Sequence, residues 1–147
     1  MNKVTQSIYK NAVDNSLFDS NGNFRFIAGE GTPRDITGLT IASSKWALNG
    51  NNLMFEILGT FTGSLSGFDI LSIFTIEDWI ANKIVTPVNN IVDIITCDMI
   101  SIKDASATHV RLQVTKSGNN IYFTNATNIN VNDASIFKIR YNIIIDY

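Results

Sequence analysis

The sequence predicts an all-β fold, an antiparallel jelly-roll-like β-sandwich, on three observations. From Ile36 onward the apolar residues fall in short runs, several of them alternating with polar residues. Turn signals such as Asn49-Gly50 and Ser117-Gly118 separate these runs. No strand–helix–strand alternation of a parallel sheet is present. At 147 residues the chain is expected to form one domain with a substantial core.

The N-terminal residues 1–35 read differently from the rest. Val4, Ile8 and Ala12 lie at helical spacing, as do Tyr9, Val13 and Leu17, with Thr5 or Ser7 as caps. A short helix and an extended arm both fit. Residues 19–23 (DSNGN) form a turn, FRFIA alternates as a strand, and GEGTP is expected to break it.

Residues 36–147 are read as the β domain. ITGLTIASSKWAL is β-branched, and the Asn-Gly of Asn49–Asn52 favours the left-handed conformations of a tight hairpin. The return strand LMFEILGTF places Leu53, Phe55, Ile57 and Phe61 on one face. Met54, Glu56, Leu58 and Thr60 lie on the other, which is apolar in part too. A soft connector around Gly63 and Gly67 leads into FDILSIF, and IEDWIANKI is a helix of at most two turns. Glu77 and Asp78 suit its first turn, where exposed amides favour negative charge. HVRLQV alternates cleanly, KSGNN is a second hairpin turn, and IFKIRYNIIIDY sends Phe137, Ile139, Tyr141, Ile143 and Ile145 to one face.

Composition excludes several functions. Charged residues are 16% of the chain, against about 25% in an ordinary domain, and the net charge is −2. Lys and Arg are scattered, so no phosphate-binding surface is expected and nucleic acid is not a partner. The single Cys97 leaves no internal disulfide and no multi-thiolate metal site; it reads as a small apolar residue. No run approaches the roughly 20 apolar residues of a membrane span, and the opening residues lack the apolar core of a signal peptide.

Catalysis is not expected. His109 begins an alternating strand without a nucleophile motif beside it, and one His with one Cys leaves a zinc set incomplete. The glycines match no phosphate loop and the acidic loops match no calcium loop, so no cofactor or metal is expected. Trp46 and Trp79 are the candidate ligand contacts. Either can stack on a sugar face or serve as a core or subunit-interface anchor.

The order of features from Trp46 to Ile145 resembles the C-terminal head domains of phage tail fibres and baseplate receptor-binding proteins. FDILSIFTIEDWIANKIVTP corresponds to that family's strand-to-corner passage, with Thr75-Ile76 where the family has Leu-Pro and Pro87 at the corner's far end. HVRLQVTKSGNNIYF corresponds to its hairpin and ASIFKIRYNIIIDY to its closing strand. The resemblance implies a homotrimeric jelly roll in a virion, with residues 1–35 as an attachment arm to other virion proteins. It also implies recognition of a host-surface molecule, commonly a glycan, by distal loops. The two-sided apolar strands fit a trimer, because a second buried surface explains them. Phe55, Ile57, Phe74 and Trp79 are the expected trimer contacts. Two alternatives stay open: a virion structural part without its own receptor, such as a head fibre, decoration or baseplate component, and a cellular jelly-roll lectin.

Overall fold

The computed structural model describes Asn21, Asn23 and residues 26–145; the helix or arm read at residues 1–18 lies outside them. Eight strands close into one antiparallel barrel: β1 (Phe26–Pro33), β2 (Leu39–Asn49), β3 (Asn52–Leu65), β4 (Ile70–Thr75), β5 (Ile91–Ser101), β6 (Ala107–Ser117), β7 (Asn120–Asn125) and β8 (Ile129–Ile144). A single helical turn, α1 (Asp78–Ala81), interrupts the connection from β4 to β5. The all-β expectation holds.

Around the barrel the order is β1-β2-β3-β8-β5-β6-β7-β4. Read cyclically, β4-β1-β2-β3 is one Greek key and β8-β5-β6-β7 is a second. The keys are joined by a long ladder of β3 with β8, from Asn52↔Ile144 to Leu65↔Ile129, and by a shorter one of β4 with β7, from Ile70↔Thr124 to Thr75↔Asn120. Within each key the closing pair is short. β5 meets β8 at Ile100↔Ile136 and Ser101↔Ser135, and β1 meets β4 from Gly31↔Phe74 to Pro33↔Ser72. The barrel is therefore zipped toward one end and splays at the other into two four-stranded sheets.

Alternation decides what enters the core. From β3 come Leu53, Phe55, Ile57 and Phe61; from β8, Phe137 and Ile139; from β6, Val110, Leu112 and Val114. Phe55, Phe74 and Phe123 form a triangle of tilted and edge-on rings with centroids 5.1–5.6 Å apart. The splayed end is filled by Ile76, Ile80, Ala81 and Ile84 of the β4–β5 connection. Across the open corner between β5 and β8, the Tyr141 hydroxyl donates to Asp93, and burial with that partner raises the phenol above its usual range.

Three readings change. The barrel begins at Phe26, so β1 belongs to it and the boundary at residue 36 falls after the first strand. GEGTP does not break the strand, because its glycines serve packing. A Cβ on Gly29 would stand 2.5 Å from Trp46 Nε1, and one on Gly31 would stand 2.7 Å from the Phe74 ring. The connector read around Gly63 is also largely strand: β3 absorbs a bulge between Phe61 and Gly63 and pairs with β8 as far as Leu65. Only Ser66–Asp69 remains as the turn.

Gly29→Ala forces the Trp46 ring out of the core and should cost about 1–3 kcal/mol of stability by chemical denaturation. Alkaline pH tests the corner bridge. The fold favours the protonated Tyr141 phenol, so its contribution is complete below the unfolded value of about 10 and is lost as pH rises beyond it. Stability should fall above about pH 10, and Tyr141→Phe should remove part of that fall.

Candidate functional site: the loop end of the barrel

Register places the two ends of the barrel unambiguously. Phe26 at the start of β1 pairs with Asn49, Asn52 pairs with Ile144 near the end of β8, and Ile145 N–H bonds Asn51 O. Both ends of the described chain thus lie with the β2–β3 hairpin, the β6–β7 turn and the β4–β5 connection; this is the base. The opposite end, the tip, carries the β1–β2, β3–β4, β5–β6 and β7–β8 loops. This segregation follows from eight antiparallel strands, in which successive connections alternate between ends.

The β3–β4 turn at the tip is tightly braced. Ser66 N–H donates to Asp69 Oδ2 at 2.8 Å, and Gly67 N–H to Asn128 Oδ1 at 2.7 Å. Phe68 N–H bonds Asn125 O at 2.7 Å, and Asn125 N–H bonds Asp69 O at 2.7 Å. Asn125 is fully buried, and its amide donates to Ser66 O at 2.8 Å and to Thr127 O. The turn holds Phe68 at φ 74°, with 77% of the residue exposed. In the β5–β6 loop, Ile102 is exposed and Ala105 is left-handed. There Asp104 accepts from Ser106, which draws its carboxyl below the usual range.

The outer face of the sheet β1-β2-β3-β8 is the second surface of note. Glu30, Lys45, Glu56 and Arg140 form a cross-strand row of alternating charge. Lys45 Nζ lies 3.5 Å from Glu56 Oε1, and Arg140 Nε donates to Glu56 Oε2 at 2.9 Å. The Arg140 hydrogen bond, with Lys45 beside it, holds the Glu56 carboxyl below the carboxylate range. On the base side of this row a depression of about 870 Å³ is lined by Phe26, Ala28, Ala47 and Met54. On the tip side one of about 630 Å³ is lined by Ala42, Leu58, Ile100 and Ile136.

The residues singled out from sequence are scattered. Phe55, Ile57 and Phe74 are at most 1% exposed within one chain, so they cannot touch another subunit; core packing accounts for them. Trp46 is 5% exposed and lies against Gly29, which removes it as an open stacking platform. Trp79 is a half-buried residue of α1 at the base, away from the tip, and its Nε1 donates to Glu77 Oε2 at 2.6 Å. His109 pairs with Asp98 across β5 and β6, both well exposed. Cys97 is buried, and burial pushes its thiol up to about 11. Among the described residues no group of His, Cys, Asp and Glu could hold a metal ion, and no helix is long and apolar enough to cross a membrane.

Sequence reasoning takes Phe68 as the first residue of a strand and so misses it. The signal that could have found it is local: an aromatic residue enclosed by Ser66, Gly67 and Asp69, all turn formers.

No protein-family model matches the chain, and no curated protein matches it. Among solved structures it is similar to the bovine atadenovirus type 4 fibre head protein. The TM-score is 0.38 at 9% identity, over 78% of this chain and 99% of that one. It is also similar to the reovirus attachment protein sigma1, solved in complex with alpha-2,3-sialyllactose. There the TM-score is 0.42 at 7% identity, over 86% of this chain and 71% of that one. Values this low transfer neither ligand nor partner.

Proposed function

We propose that this chain is the head of a viral attachment protein, of the phage tail-fibre or receptor-binding type. In this reading it acts in the virion without catalysis, as a homotrimer that binds a host-surface glycan. The observation that carries the reading is the segregation of the barrel's ends. An arm entering before β1 joins at the base, so the four tip loops face away from whatever that arm holds. The base also exposes Phe26, Val85, Val88 and Ile144, apolar side chains suited to contact with another virion protein.

The outer face of β1-β2-β3-β8 is the surface offered to neighbouring copies. Met54 and Leu58, not Phe55 and Ile57, are the β3 side chains available there. Apolar ground flanks a charge row with no net sign, and such a face loses little by being covered. Tip and sheet face thereby divide recognition from assembly.

Light scattering on the purified chain should give the mass of three copies at micromolar concentration; a clean monomer contradicts the trimer. Deleting residues 1–18 should leave the melting transition of the barrel intact and abolish incorporation into particles. The labelled protein should bind saturably to some member of a panel of bacterial cells, and periodate oxidation of the surface glycans should remove that binding. Tight binding to virion proteins with no saturable binding to any cell would favour a structural part without its own receptor.

A further inference from the structure

The β3–β4 turn contains a conformational misfit that points to use. Left-handed backbone is tolerated by glycine and is an outlier for a bulky aromatic residue. Here Phe68 takes the left-handed position at φ 74°, while its neighbour Gly67 is outside that region. Nor does packing require a glycine at 67: a Cβ there would meet Asn128 Oδ1 at 3.6 Å and Ala126 O at 3.9 Å, ordinary contacts. Interchanging the two residue types would relieve the strain. The chain instead keeps the aromatic residue where it is strained and 77% exposed, on a turn whose backbone is tied down by a fully buried asparagine. Strain maintained against so simple a relief, with a large apolar side chain in water, marks a binding anchor. Rigid mounting reduces the ordering cost of a contact.

The surroundings define the ligand. Asp69 is the carboxylate of the turn, and it is engaged by the Ser66 N–H. Beside the turn, Ser64 donates to Asn130 at 3.1 Å, Asn130 donates to Asn132 at 3.1 Å, and Asn128 accepts from Gly67. These side chains are uncharged and offer hydroxyl and amide groups. An exposed aromatic ring on a turn whose flanking strand ends carry neutral donors and acceptors suits a pyranose ring, whose C–H face covers the aromatic ring while its hydroxyls exchange hydrogen bonds. No cation stands among these groups to pair with an anionic sugar.

We infer that Phe68, with Asn128 of the same turn network and the Ser64–Asn130–Asn132 row on the strands that lead into the tip, forms a subsite for a neutral hexose or N-acetylhexosamine unit. The subsite rests on the attachment reading above. It also implies a trade: Phe68 is held for binding at the expense of stability.

The test uses the full chain on an array of neutral, sialylated and sulfated oligosaccharides, with a thermal melt of each variant. Wild type should bind neutral oligosaccharides. Phe68→Ala and Phe68→Gly should each weaken that binding about tenfold or more, as loss of an anchoring aromatic does. Ser117→Ala, in the exposed β6–β7 turn at the base, should bind as wild type does. Phe68→Gly should melt above wild type, which separates a lost contact from a lost fold. Equal binding by wild type and both Phe68 variants overturns the subsite and leaves the attachment reading standing. Binding confined to anionic glycans overturns the neutral-sugar assignment. A lower melting temperature for Phe68→Gly overturns the trade. No binding by wild type to any glycan or cell overturns the attachment reading and the subsite together.

Discussion

The pairing of β3 with β8 joins the two halves of this chain, and the rest of the structure depends on it. Asn52–Leu65 lies against Ile129–Ile144, so every hydrogen bond in the ladder closes a long loop of chain. Such contacts are formed late and at an entropic cost, which burial must offset. Leu53, Phe55 and Ile57 supply that burial from one strand, Phe137 and Ile139 from the other. With β3 and β8 joined, and β4 paired with β7 across the barrel, each Greek key needs only a short closing pair. The splayed end can then be left to the β4–β5 connection and to the Tyr141–Asp93 bridge.

The same constraint produces the polarity of the molecule. Antiparallel closure sends both ends of the described segment to the base and four connections to the tip. The closed barrel then presents the tip loops. Asn125 braces one of them: it ends β7, is wholly buried, and holds the β3–β4 turn through its backbone and its amide. The strained Phe68 can persist because these bonds over-determine its backbone.

Much of the architecture was legible where side chains repeat with the period of a strand. HVRLQV alternates cleanly, IFKIRYNIIIDY does so apart from the outward Ile136 and Ile144, and their inward residues are those the alternation names. The Asn49-Gly50 and Ser117-Gly118 signals mark real hairpins, with both glycines left-handed. Glycine is where the sequence pattern misleads. Gly29 and Gly31 look like a break in the chain, yet they make room for Trp46 and Phe74, partners that only the closed barrel brings near. Alternation groups the inner face of β3 correctly, but Phe55 and Ile57, the two of its residues expected at a trimer contact, are buried in their own barrel. One-chain periodicity cannot say whether an apolar face meets its own barrel or another subunit. Phe68 was missed for a related reason, since its φ is imposed by Asn125 from a distant strand.

Through β3 and β8 the two Greek keys should behave as one cooperative barrel. Native-state hydrogen exchange across a denaturant series tests it most directly. Inner amides of β3 and β8 should converge on a single opening free energy, equal to that of global unfolding. If strands β1 to β4 open at a distinctly lower free energy than strands β5 to β8, the halves are separable and the claim is contradicted.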